Sequence, residues 1–123
     1  MGGEKIDPIL ERTFNAISNK KGEDVVCLDV RKITPLFDYV FICSAETDIQ
    51  ARAISDEIYI KLKKNEKTNE KTIPLSVEGY EKGSWIVMDY GDFLVHIFLP
   101  EKREYYNLED LWVGAKRVEF EKK

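Results

Sequence analysis

The carboxylates have the widest chemical scope in this chain. Asp29, Asp38, Asp89, Asp92, Glu109 and Asp110 could hold magnesium for phosphoryl transfer if several converged on one spot. Their spacing argues otherwise. Asp89 and Asp92 flank a turn at Gly91, and Asp92 more simply serves that turn. Glu109 and Asp110 are adjacent on an expected helix, where neighbours do not face each other. The single histidine, His96, lies in an apolar run, which suits a structural or interface residue better than a base. Ser44 ends another apolar run with no G-x-S-x-G around it. No G-x-x-x-x-G-K-[ST] or G-x-G-x-x-G loop is present to cradle phosphate. Cys27 and Cys43 form no C-x-x-C pair and read as buried thiols, so no zinc site is expected. The residues imply no catalytic set, no cofactor and no metal.

The stretch from Trp85 to Trp112, WIVMDYGDFLVHIFLPEKREYYNLEDLW, asks for a different explanation. Gly91-Asp92 suits a type II′ hairpin turn. Tyr90 then faces Phe93, Met88 faces Val95 and Ile86 faces Ile97. Strand side chains alternate, so these residues share one apolar face, the expected core. The other face pairs Asp89 with Leu94, Val87 with His96 and Trp85 with Phe98. Large aromatics mixed with a few polar groups are what protein interfaces favour. A competing reading covers this face with a short C-terminal helix, Trp112 packing near Trp85.

The elements that must position this stretch follow from periodicity. Ile6, Ile9, Leu10, Phe14 and Ile17 recur at helical spacing, with Asp7 as cap and Pro8 first in a helix to about Lys20, stopped by Gly22. Val25–Val30 reads as a strand, 31–38 as a loop, and Tyr39–Ser44 as a strand covered on both faces. Thr47 and Gln50 form a capping-box pattern for a helix that buries Ala51, Ile54, Ile58 and Leu62 and runs to about Lys64. A polar loop over 65–71 follows. Ile73–Val77 is an expected strand, 78–84 a loop, and the residues after Pro100, 101–106, a charged link. Asn107 is expected to cap a short helix through Trp112, and the tail from Lys116 to fray. The alternation predicts an α/β (α+β) fold, a single mixed sheet flanked by helices. One domain over 1–123 is expected, with an ordered core of about 6–115.

Composition limits the partners. Net charge is −4 and the pI about 5.1, so no domain-wide basic field for nucleic acid exists. An acidic chain suits a basic partner. Lys61, Lys63 and Lys64, with the 65–71 loop, form a Lys-rich patch that reads as a solvated helix end or as a weak RNA-backbone contact. No apolar run approaches a membrane span, and no secretory apolar region appears. A cytoplasmic location is expected.

Several segments together resemble the ribosomal silencing factors, the Iojap-related proteins: DYVFICSAETDIQARAISDEI (38–58), VEG (77–79), WIVMDYGDFLVHIF (85–98) and REYYNLEDLW (103–112). The resemblance implies a nucleotidyltransferase-like fold without the catalytic motif. Those enzymes use a Gly-Ser turn and an Asp-x-Asp pair, whereas here Ser44 follows Cys43 and no D-x-D occurs. Ala45 and Glu46 stand where the family commonly has Gly and Thr or Ser. The resemblance also implies binding to the protein numbered fourteen on the inter-subunit face of the large ribosomal subunit. That binding would block small-subunit joining and repress translation, and a homodimer is a further implication. On this reading Trp85, His96 and Phe98 are anchors. Asp89, Asp92 and Glu104 meet basic groups, and Tyr105, Tyr106 and Trp112 extend or brace the surface. The alternative is a diverged nucleotidyltransferase using Asp29, Asp89 or Asp92 with magnesium.

Overall fold

The computed structural model describes residues 6–64 and 71–120. Helix α1 spans Pro8–Asn19, and the Asp7 carboxylate accepts from the Ile9 N–H at its start. Strands β1 (Glu23–Asp29) and β2 (Tyr39–Ser44) follow. Helix α2 spans Asp48–Lys63 and is capped by the Thr47 hydroxyl, which accepts from the Gln50 N–H at 3.1 Å. The Gln50 side chain reaches past the cap: its Oε1 accepts from the Glu46 N–H, and its Nε2 donates to the Lys20 and Lys21 carbonyls. One side chain thus ties the start of α2 to the end of α1.

Strands β3 (Ser76–Glu78), β4 (Trp85–Asp89) and β5 (Phe93–Phe98) complete the main sheet. Then come α3 (Pro100–Tyr106), a 3-10 segment (Leu108–Trp112) and β6 (Lys116–Arg117). The sheet order is β3-β4-β5-β2-β1-β6. Its central pair, β2 and β5, is parallel and the other pairs are antiparallel. The mixed sheet flanked by helices is therefore as the sequence predicts.

Alternation divides the sheet into two apolar faces. One carries Phe41, Cys43, Ile86, Met88, Val95 and Ile97, which pack with Leu10, Ile17, Ile54, Ile58 and Leu62 of α1 and α2. The other carries Val26, Leu28, Val40, Ile42 and Phe98, partly covered by Phe37, Leu108 and Trp112. Burying β2 on both faces explains its unbroken apolar run. Cys27 and Cys43 are buried, and burial pushes both thiols up to about 12, leaving them protonated at neutral pH.

Three sequence expectations are corrected. The strand expected over Ile73–Val77 begins only at Ser76, because Ile73 and Leu75 are exposed and face no core. The charged link expected over 101–106 is a helix that begins at Pro100. Asn107 ends it in the left-handed conformation (φ 44°) rather than only starting the next segment, and its N–H bonds the Arg103 carbonyl. The tail also packs: β6 pairs with β1, and Phe120 stacks on Phe14 at 4.6 Å. The expected 65–71 loop lies outside the described residues except for Lys71.

Tyr90 gives a stability prediction. Its ring stacks on Phe93 at 4.9 Å, and its buried hydroxyl has no hydrogen-bond partner among the described residues. Burial raises its phenol above the ordinary range. Removing an unsatisfied buried hydroxyl relieves a desolvation cost, so Tyr90→Phe should gain about 1 kcal/mol in urea unfolding. A loss of stability would show that the hydroxyl is satisfied.

Candidate protein-binding surface

The hairpin register is the one that alternation and the Gly91 turn imply: Trp85 opposite Phe98, Val87 opposite His96, Asp89 opposite Leu94. Gly91 has φ 86°, and the Asp89 carboxylate accepts from its N–H at 2.8 Å. This turn fixes which residues share the second face, and the open end of the hairpin gathers the aromatics. The Trp85 ring stacks on Phe98 at 5.0 Å and lies 6.0 Å from His96. Tyr106, brought by α3, packs on Trp85 at 4.6 Å, and Tyr105 meets Tyr106 edge-on at 5.0 Å. The result is a graded stack. Phe98 is the fully buried floor, Trp85 is half-buried, and Tyr106 and Tyr105 are 45% and 79% exposed.

This grading corrects the parts given to His96 and Phe98. Phe98 has no exposed surface and His96 only 8%, so neither presents itself to a partner. They support Trp85 from below. The indole N–H of Trp85 donates to His96 Nδ1 at 3.1 Å, which requires that nitrogen to be unprotonated. Burial agrees, pushing the imidazole down to about 4 from 6.5.

The depressed value makes stability depend on pH. Between about pH 6.5 and 4 the unfolded chain takes up a proton that the folded chain refuses, so stability falls as pH drops through that window. The full span is worth about 3 kcal/mol. The carboxylates with lowered values, Asp29 beside Arg31 and Asp48 beside Arg52, act only below the ordinary 3.8. Urea unfolding at pH 7.0 and 5.0 should therefore show a loss that is much smaller in His96→Asn. An equal loss in both proteins would remove His96 as its source.

Trp112 does not join the stack. Its ring partner is Phe37, edge-on at 5.6 Å, and Tyr106 takes the place over Trp85 that the sequence reading gave to Trp112. The acidic residues also separate. Asp89 and Asp92 lie at the hairpin tip, Asp89 roughly 13 Å along the strand from Trp85 and Asp92 beyond it in the turn. Glu104 is exposed on α3 beside Tyr105.

Sequence reasoning missed α3 as a helix and Arg103 as its link to the sheet. Pro100 at the first helical position and Glu101 in the first turn are the signals that could have found the helix. Arg103 Nη1 donates to Ser44 Oγ at 2.9 Å and to the Asp24 carbonyl at 2.8 Å, while its Nε and Nη2 reach Glu109. Ser44 therefore faces a guanidinium, which donates only and supplies no base. Among the described residues, no group of three or more His, Cys, Asp or Glu could hold a metal, and no helix is long and apolar enough to cross a membrane.

The family model described as "Ribosomal silencing factor during starvation" matches residues 4–123. The chain belongs to the ribosomal silencing factor family. The resemblance read from its motifs is thereby borne out. A "Ribosomal silencing factor RsfS" of Halalkalibacterium halodurans is 40% identical over 114 residues, covering 92% of each chain. "Protein Iojap, chloroplastic" of Zea mays is 34% identical over 105 residues, 85% of this chain and 43% of that protein. A crystal structure of a Chromobacterium violaceum protein superposes with a TM-score of 0.80 at 32% identity, covering 98% of this chain and 95% of the other. Along the silencing-factor chain, the quoted motifs fall on β2 and α2, on β3, on the hairpin and on α3 with its 3-10 segment. Two of them, the hairpin and α3, build the aromatic stack.

Proposed function

We propose that this silencing factor represses translation by occupancy. It binds the protein numbered fourteen on the inter-subunit face of the large ribosomal subunit and so keeps the small subunit from joining, without catalysis and in the cytoplasm. The observation that carries this reading is the aromatic edge, with Tyr106 and Tyr105 exposed over a half-buried Trp85 and a buried floor, in a chain of this family. Rigid aromatic anchors supply contact area at low ordering cost. Glu104 beside them, with Asp89 and Asp92 at the hairpin tip, steers encounter with a basic partner. Lys61, Lys63 and Lys64 are exposed at the end of α2 and offer a weak contact to ribosomal RNA. A homodimer that used the aromatic edge would compete with the ribosome for it.

The mechanism is steric, since two rigid surfaces cannot occupy one space, and it needs no bound nucleotide. Purified large and small subunits mixed with excess protein should fail to join in sucrose gradients. Unchanged joining would overturn the proposal.

A further inference from the structure

The aromatic edge depends on α3, and α3 is weakly anchored by burial. Neither α3 nor the 3-10 segment after it contains a fully buried residue. At seven residues, α3 is also far below the length at which a helix stands alone. Its N-terminal end is tied by the Leu99 N–H, which donates to the Ser84 carbonyl at 3.0 Å. Leu108 and Trp112 pack only partly against the second core.

Arg103 supplies the polar link between this cap and the sheet. Its side chain is 12% exposed. Nη1 bonds Ser44 Oγ, at the end of β2, and the Asp24 carbonyl of β1. Nε and Nη2 meet both oxygens of Glu109 in the 3-10 segment, at 3.0 and 3.4 Å. Its own carbonyl accepts from the Asn107 N–H at 2.8 Å, closing α3. One planar fork therefore joins β1, β2, α3 and the 3-10 segment, a geometry that a lysine ammonium does not reproduce. Tyr106 lies three residues further along α3, one helical turn from Arg103. A tilt of α3 about the lost link would lift the Tyr106 ring from Trp85.

We propose that Arg103 is the positioning residue of the binding surface: by pinning α3 to the ends of β1 and β2, it fixes the Tyr106 ring on Trp85. Its consequence for ribosome binding rests on the function proposed above, whereas the pinning itself does not. The test compares wild type with Arg103→Met and Arg103→Lys. It follows amide hydrogen exchange, Trp85 emission in a Trp112→Phe background, and cosedimentation with isolated large ribosomal subunits.

In Arg103→Met, amides of 101–112 should exchange at least roughly 10-fold faster, with those of β2 and β5 unchanged, and Trp85 emission should shift. Affinity should fall roughly 10-fold, and Arg103→Lys should recover little of it. Adding Arg103→Met to Tyr106→Ala should cost little beyond Tyr106→Ala alone, because the two residues act through one contact. Unchanged exchange and emission would overturn the pin. So would a uniform loss of protection across the sheet, which marks a merely structural role. Costs for Arg103→Met and Tyr106→Ala that multiply independently would overturn the route through Tyr106. If wild type itself fails to cosediment, the proposed function falls, and exchange and emission still decide the pin.

Discussion

Trp85→Ala should lower affinity for the large ribosomal subunit by at least roughly 30-fold, the effect of losing about 2 kcal/mol at a buried aromatic anchor. The size follows from what the ring touches. It stacks on Phe98, carries Tyr106 and donates its indole N–H to His96. Truncation removes the contact surface and also the platform under Tyr106. It uncovers Phe98 as well, so stability must be measured beside binding. Tyr106→Ala provides the second variant, since Tyr106 is 45% exposed and α3 buries no residue. It should weaken binding while leaving urea unfolding near wild type. Normal cosedimentation by a folded Trp85→Ala protein would sink the assignment of this surface.

Gly79→Ala should injure the same surface without touching an aromatic side chain. Gly79 follows β3 with φ 79°, where L side chains are strained. A Cβ there would lie 2.1 Å from the Trp85 carbonyl oxygen and 3.2 Å from its carbonyl carbon. Both are backbone atoms, so relief requires the start of β4 to move. Backbone strain and overpacking together predict a loss of about 2–4 kcal/mol in urea unfolding. Binding should weaken as well, because the displaced residue is the proposed anchor. A Gly79→Ala protein as stable as wild type would show that β3 and β4 do not approach this closely.

Legibility in the sequence followed the range of the forces involved. Gly91 and strict alternation determine the hairpin register locally, so every pairing from Trp85–Phe98 to Asp89–Leu94 could be read directly. Thr47 and Gln50 announced α2 for the same reason. By contrast, α3 reads Pro-Glu-Lys-Arg-Glu-Tyr-Tyr and has no apolar period, because it packs through an arginine fork and a tyrosine ring rather than a stripe. Arg103 meets partners 59 and 79 residues away, which no spacing rule connects. His96 and Phe98 were placed on the correct face but at the wrong depth. Alternation gives the side of a sheet, and only the arrival of α3 and the 3-10 segment shows how much of that side is covered.

The stacking of Phe120 on Phe14 and Phe41 has a consequence for synthesis. Chains emerge from their N-terminus, yet the side chain that closes over Phe14 of the first helix is Phe120, far along the sequence. The helix-side core therefore cannot finish packing until residue 120 has left the ribosome. Non-local closure of this kind is slow compared with helix or hairpin formation. During that interval Phe14 is without its stacked neighbour, and the nascent protein is at its most vulnerable to sticking to its neighbours.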